Sequence, residues 1–298
     1  MADNSLLEVK KYLAEPGKTI SLKDYSTKYD GNNLDKKSGE VLLDAGREKL
    51  SDMQDKLYAH DQYSVLIIFQ AMDAAGKDSA VKHIMSGLNP TGVKVSNFKI
   101  PTSAELDHDY FWRHYIELPG RGMIGIFNRS HYENVLVTKI HPEYILKENL
   151  PGINSVKDID NDFWQQRYKQ IKRFEKNLVQ NGTIILKFFL HLSKDEQRQR
   201  FIDRIDDPKK NWKFSAADAK ERGHWDEYQK AYEEAINNTS TELAPWFIIP
   251  ADNKWFTRLA IAEILYQQFE ALHLSYPKVS EEEKAELQKV KEQLLKED

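Results

Sequence analysis

The chain has 298 residues, 40% of them hydrophobic and 30% charged, the balance of a soluble globular protein with a substantial core. A formal net charge of −4 argues against a general nucleic-acid binder, and the lack of cysteine excludes disulfides, thiolate metal sites and thiol nucleophiles. Met1–Lys18 has mixed charge and no apolar run, and runs such as Val65–Phe69 and Phe188–Leu190 are too short to span a bilayer, so the expectation is a cytoplasmic enzyme with neither nucleic acid nor membrane as partner.

Residues 1–60 show no strand pattern and read as an N-terminal helical extension, with Leu42, Leu43, Leu50, Met53 and Leu57 on one helical face. Ser64–Phe69 then reads as a strand buried on both faces. Further strands are predicted at Val93–Phe98, Met123–Phe127, Thr183–Phe189 and Trp246–Ile249. Helices are predicted at Lys77–Gly87, Ala104–Tyr115, Ile159–Gln180, Lys194–Ile205, Trp225–Asn237 and Lys254–His273. Thr102 with Glu105, and Ser193 with Glu196, carry the spacing of a capping box. Alternating strands and helices over residues 61–273 predict an α/β fold, a parallel sheet flanked by helices. Residues 274–298 form a charged helical tail, either solvated or an oligomer contact.

The segment from Gln70 to Asp78 follows the first strand and opens a helix, the context of a phosphate-binding loop. Small residues there let backbone N–H groups wrap an anion, Lys77 reaches outer phosphates, and the helix N-terminus adds its dipole. Ala71 stands where a first glycine belongs, and Asp78 where a metal-binding Ser or Thr normally follows the lysine. Asp73 is therefore the candidate magnesium ligand, an oxygen donor bridged to substrate phosphate. The competing reading is an ordinary strand-to-helix turn with an incidental Gly-Lys.

A second strand end tells against that alternative. Met123–Phe127 is followed by Asn128-Arg129-Ser130-His131-Tyr132-Glu133, and ligands of open α/β sheets bind beyond the carboxyl ends of strands. Asn128 occupies the place of the usual strand-end aspartate. Arg121 and Arg129 flank the strand, and their forked guanidinium groups suit phosphate. Glu133 either orients a nucleotide or metal shell or pairs with Arg129; His131 reads as a structural hydrogen-bonder. Further on, Arg204, Lys209, Lys210 and Lys213, with Trp212 as an anchor, read as a basic lid that closes over phosphate, the alternative being a charged surface loop. Asp252, Lys254 and Arg258 follow the last strand and either border a base pocket or cap the last helix.

Four motifs, in order between Asp61 and Leu272, resemble the polyphosphate kinase 2 family: Asp73 through Asp78, Phe127 through Glu133, Asp206-Asp207-Pro208 through Phe214, and Ala244-Pro245-Trp246. The resemblance implies a thymidylate-kinase-like P-loop kinase fold with a helical lid at about 204–222. It implies magnesium-dependent, reversible transfer of a phosphoryl group from inorganic polyphosphate to AMP and ADP, with guanine nucleotides as a further option, by a homo-oligomer. Asp73 would coordinate magnesium, and Lys77 and Arg129 would hold the transferring phosphates. Ala74, Ala75, Gly76, Lys77 and Asp78 would cradle phosphate, while Arg121, Arg204, Lys209 and Lys210 would line the polyphosphate channel or lid. Asn128, Arg129 and Glu133 would contact the nucleotide. Ala71 and Asn128 depart from the family pattern, and the Asn-Arg-Ser-His-Tyr-Glu form is similar to the branch that uses both nucleoside mono- and diphosphates. Two other readings stay open: an ATP-dependent nucleotide or nucleoside kinase of the same fold, and a catalytically silent nucleotide- or polyanion-binding regulator.

Overall fold

The structure, a computed structural model, describes residues 7–31 and 34–297; the side chain of Lys213 lies outside the described residues. Its strands are β1 (Leu13–Ala14), β2 (Ser64–Ala71), β3 (Val93–Asn97), β4 (Ile124–Asn128), β5 (Thr183–His191) and β6 (Trp246–Pro250). They form one sheet in the order β1-β6-β5-β2-β4-β3. Every pairing is parallel except β1 with β6. The five expected strands are therefore present, and an α/β fold with helices on both faces follows. The strand at Leu13–Ala14 departs from the expectation that the first segment carries none. Two residues are too few to show a period of two, so its sequence has no strand signal.

The long helices are α1 (Lys36–His60), α2 (Lys77–Met85), α6 (Asn161–Gln180), α7 (Lys194–Asp206), α9 (Trp225–Thr239), α10 (Lys254–Glu270) and α11 (Glu281–Leu294). Short ones are α3 (Ser103–Leu106), α4 (Trp112–Tyr115), α5 (Val137–Ile140) and α8 (Ala216–Glu221). The single helix expected at 104–115 is broken between α3 and α4, where the Asp109 carboxylate accepts from the Phe111 N–H at 2.9 Å. Such a local side-chain turn competes with the helical ladder. Of the two capping boxes, the Thr102–Glu105 pair is complete, whereas Ser193 caps the Glu196 N–H at 3.1 Å.

Side chains of β2 alternate between two cores, as a strand covered on both faces requires. Val65, Ile67 and Phe69 pack with α1, α2 and α10. Leu66 and Ile68 face α6, α9 and the segment after β4. Helix α10 is apolar around much of its circumference because it lies between the sheet and α1, where Gly39 meets the Trp255 ring. Helix α11 buries no residue.

A polar cluster sits inside the second core. Lys187 on β5 is 0% exposed and donates to the Glu175 carboxylate at 2.7 Å, the Tyr132 hydroxyl at 3.0 Å and the Thr239 carbonyl at 2.8 Å. Tyr132 in turn donates to Glu175 at 2.7 Å, and the His131 ring lies 3.5 Å from the same carboxylate. Burial lowers the pKa of both Lys187 and His131, while the attraction of Lys187 keeps Glu175 ionised against its own burial. Removing one member of such a pair strands a buried charge. Lys187→Met is expected to cost roughly 3–5 kcal/mol in urea denaturation. Lys187→Met with Glu175→Leu should recover most of that loss; a double variant as unstable as the single would show that the charge pair is not what matters.

Candidate active site

The carboxyl ends of β2 and β4 lie side by side, Phe69 opposite Asn128, and both chains turn sharply there. After β2, Ala74 and Gly76 take positive φ, 61° and 105°, and α2 starts at Lys77. The value at Gly76 lies where a Cβ is poorly tolerated, so glycine is required. The loop is held from behind by α7. Arg200, nearly buried, donates Nη1 to the carbonyls of Ala74 (3.0 Å) and Ala75 (2.9 Å), and Nη2 to those of Ala251 (2.7 Å) and Asp252 (3.1 Å). Gln197 donates Nε2 to the Asp73 carbonyl at 2.9 Å. Across a trans peptide N–H lies opposite C=O, so the amides of Ala74 and Gly76 point away from α7. Lys77 Nζ donates to the Ala71 carbonyl at 2.8 Å.

After β4, Arg129 takes φ 64° and its N–H bonds the Phe69 carbonyl at 3.2 Å, tying the two strand ends together. Ser130 Oγ accepts from Gln70 Nε2 at 3.1 Å. The Arg129 guanidinium lies between two carboxylates, 3.6 Å from Asp73 and 3.9 Å from Glu133. Glu133, then Asp73, hold Arg129 in its charged form against burial. Burial raises the pKa of Glu133 against the pull of Arg129 and Lys77, and burial lowers that of Lys77 against the pull of Asp73. Asn128 Nδ2 donates to both Asp78 Oδ1 and Asn97 Oδ1 at 2.8 Å. Two of the three departures from the usual motifs thus meet: an amide on β4 faces a carboxylate on α2.

Two cavities open at this edge. One is a groove of about 940 Å³ over the phosphate loop, walled by Lys99, Arg200, Arg204, Lys210, Lys254 and Arg258. The other, about 320 Å³, is largely apolar, with Phe98, Leu106, Tyr110, His114, Val137 and Tyr144 in its wall. Arg129 lines both.

The polyphosphate kinase 2 family profile matches residues 33–277. The chain belongs to the polyphosphate kinase 2 family. It is 46% identical to an ADP-polyphosphate phosphotransferase of Rhodopseudomonas palustris, over 97% of this chain and 99% of that one. It is 42% identical to an AMP/ADP-polyphosphate phosphotransferase of Meiothermus ruber, over 90% of this chain and 96% of the other. Polyphosphate kinase 2 from Arthrobacter aurescens superposes with a TM-score of 0.84 at 38% identity, covering 93% of this chain and 94% of that structure. The P-loop kinase fold is thereby established.

Most residues singled out in the sequence converge on the groove. Asp73, Ala74, Ala75, Gly76, Lys77, Asp78, Asn128, Arg129, Arg204 and Lys210 all border it. Glu133 borders the apolar cavity instead. Arg121 is not brought there. It precedes β4, at the end of the sheet where Gly122 bonds the Tyr63 carbonyl ahead of β2, the edge opposite the phosphate loop. Lys209 is exposed on the lid outside the groove wall, and its carbonyl accepts from Trp212 Nε1 at 3.0 Å. Trp212 is 75% exposed and does not anchor the lid; Phe214 does, against Phe201 at 5.3 Å. Lys254 and Arg258 join the basic groove rather than a base pocket, and Asp252 ties strand ends by accepting from the Ser193 N–H at 2.8 Å. His131 is buried and structural.

Arg200, Gln197 and Lys99 were not foreseen. Arg200 lies four residues before Arg204, on the same face of α7, which was the available signal. Among the described residues no three His, Cys, Asp or Glu side chains converge on one point. Asp73, 37% exposed at the groove, suits a hard divalent cation whose other ligands are phosphate and water.

Arg200→Met should remove four charge-assisted bonds to buried carbonyls, each unmade one being costly. The expected result is a loss of stability of about 2–4 kcal/mol together with at least a tenfold fall in turnover. Unchanged turnover in a destabilised variant would contradict its part in shaping the loop.

Proposed function

We propose that the chain transfers a phosphoryl group, reversibly and with magnesium, from inorganic polyphosphate to AMP and ADP, as a cytoplasmic homo-oligomer. One observation carries the reading: a long basic groove and a small apolar cavity meet at Arg129. A cavity whose surface is mainly apolar, with polar and charged side chains in its wall, suits a nucleoside, and a groove with more cations than one nucleotide needs suits a polyanion. The printed activities of the relatives above support the same donor and acceptors.

The nucleotide sits with its base among Leu106, Tyr110, His114 and Tyr144, and its terminal phosphate at Arg129. The polyphosphate end lies over the amides of Ala74 and Gly76. Lys77 exchanges the Ala71 carbonyl for a phosphate oxygen, and Asp73 beside it opposes the lowering of its pKa by burial. The acceptor oxygen is already ionised, so no general base is needed; positioning and charge neutralisation supply the rate. Magnesium, held by Asp73 and the phosphates, would neutralise charge that develops on the transferring group. Arg129, between Asp73 and Glu133, is preset to face both phosphates. Arg204, Lys209 and Lys210 close over the donor and keep water out. Adenine nucleotides are the proposed acceptors, with guanine nucleotides as further candidates.

Protein mixed with magnesium, AMP and polyphosphate, without ATP, is expected to form ADP and then ATP. Lys77→Ala should lower that rate by about 10²–10³, the usual effect of deleting one transition-state donor. Absence of product, or a strict need for ATP, would sink the reading.

A further inference from the structure

The cationic surface does not stop at the phosphate loop. Arg258, on α10, lines the groove and also a narrow crevice beside it, together with Arg47 from α1 and His83 from α2. Its Nη2 donates to Ser79 Oγ at 2.8 Å, which lays the guanidinium across the first turn of α2. Arg47 Nη2 lies 3.3 Å from His83 Nδ1, and because a guanidinium has no acceptor the histidine nitrogen accepts. Burial, then Arg258, Arg47 and Lys82, hold the His83 pKa below its ordinary value. Burial likewise lowers Arg258, with Arg47 adding to the effect and Glu40 opposing it. The acids that face the group are Asp44, bonded to Arg47 at 2.6 Å, and Glu40, which is exposed. Like charges are thus gathered where phosphoryl transfer has no use for them. His83 is six residues beyond Lys77 on α2, about 9 Å along the helix axis.

We propose that Arg258, Arg47 and Lys82 form an outer anion site that holds the distal units of a polyphosphate chain, leading it off the groove and over α2 onto α1. This rests on the reading that polyphosphate occupies the groove. A nucleotide or a donor of three phosphates meets few cations beyond the loop, whereas a long chain carries a charge at every unit and gains a contact at each cation it passes. The site therefore acts on chain length and leaves the chemistry untouched. It also gives α1 a part in substrate binding besides its packing on α10.

The test compares long-chain polyphosphate with tripolyphosphate as donors for Arg47→Gln combined with Lys82→Gln. KM for the long chain is expected to rise roughly tenfold, the combined effect of one half-buried and one exposed charge contact. kcat and the tripolyphosphate KM should stay as in the unmutated protein, and the long-chain KM should become less sensitive to salt. Arg47→Lys, which keeps the charge, should restore most of the long-chain affinity. An equal rise for both donors, or no rise for the long chain, would overturn the proposal. Lys82 is exposed, so Lys82→Gln alone gives a folded variant in which a smaller shift of the same kind is expected. Calorimetric binding of the two donors reads the same contrast without turnover. If the unmutated protein binds polyphosphate of neither length, the reading of the groove fails; if it binds both and the variants do not discriminate between them, only the outer site fails.

Discussion

Much of the site depends on one buried guanidinium. Arg200 bonds four main-chain carbonyls, two in the phosphate loop and two just after β6. A loop rich in small residues has little side-chain packing to fix its shape, so the carbonyls themselves must be held. Arginine suits this because its planar fork offers several donors and stays charged when buried. The same helix then carries Arg204 into the groove and leads into the segment proposed as a lid, so loop, groove wall and that segment share one helix as support.

The other half of the site is supported in a different way. Arg129 has a left-handed backbone that a non-glycine residue adopts at a cost of about 1–3 kcal/mol. What offsets that strain lies directly behind it. Ser130 is fixed by Gln70, and His131 and Tyr132 reach into the cluster of Glu175, Lys187 and Thr239. The strain places the guanidinium between Asp73 and Glu133, at the junction of the two cavities. A charged cluster deep in the core is an expensive way to stabilise a fold, and here it sits under the segment that the chemistry needs held still.

The fold was legible because central strands of a parallel sheet are buried on both faces and therefore read as continuous apolar runs, as at Val65–Phe69. The edge strand at Leu13–Ala14 had no such run. Asp109 broke a helix that the periodicity alone extended through it. In the site, residues that follow a strand directly, from Met72 to Asp78 and from Asn128 to Glu133, were found because chain order and spatial order agree there. Arg121 shows the converse: it precedes its strand, so the rule that ligands gather at carboxyl ends already places it at the wrong edge. The apolar cavity was not legible, since its walls come from segments as far apart as Phe98 and Tyr144 that share no periodicity. Asp78 and Asn128 each looked like a defect when read alone, and the hydrogen bond between them shows that they form a pair.

The proposed function places the donor in the basic groove and the acceptor in the apolar cavity, with Arg129 lining both. The most direct measurement follows the phosphorus itself: polyphosphate labelled with radioactive phosphate is incubated with the protein, magnesium and unlabelled AMP, and the ADP formed is degraded to locate the label. The account predicts label in the terminal phosphate of ADP with no ATP added. ADP that stays unlabelled, or that acquires label only when ATP is supplied, would contradict it.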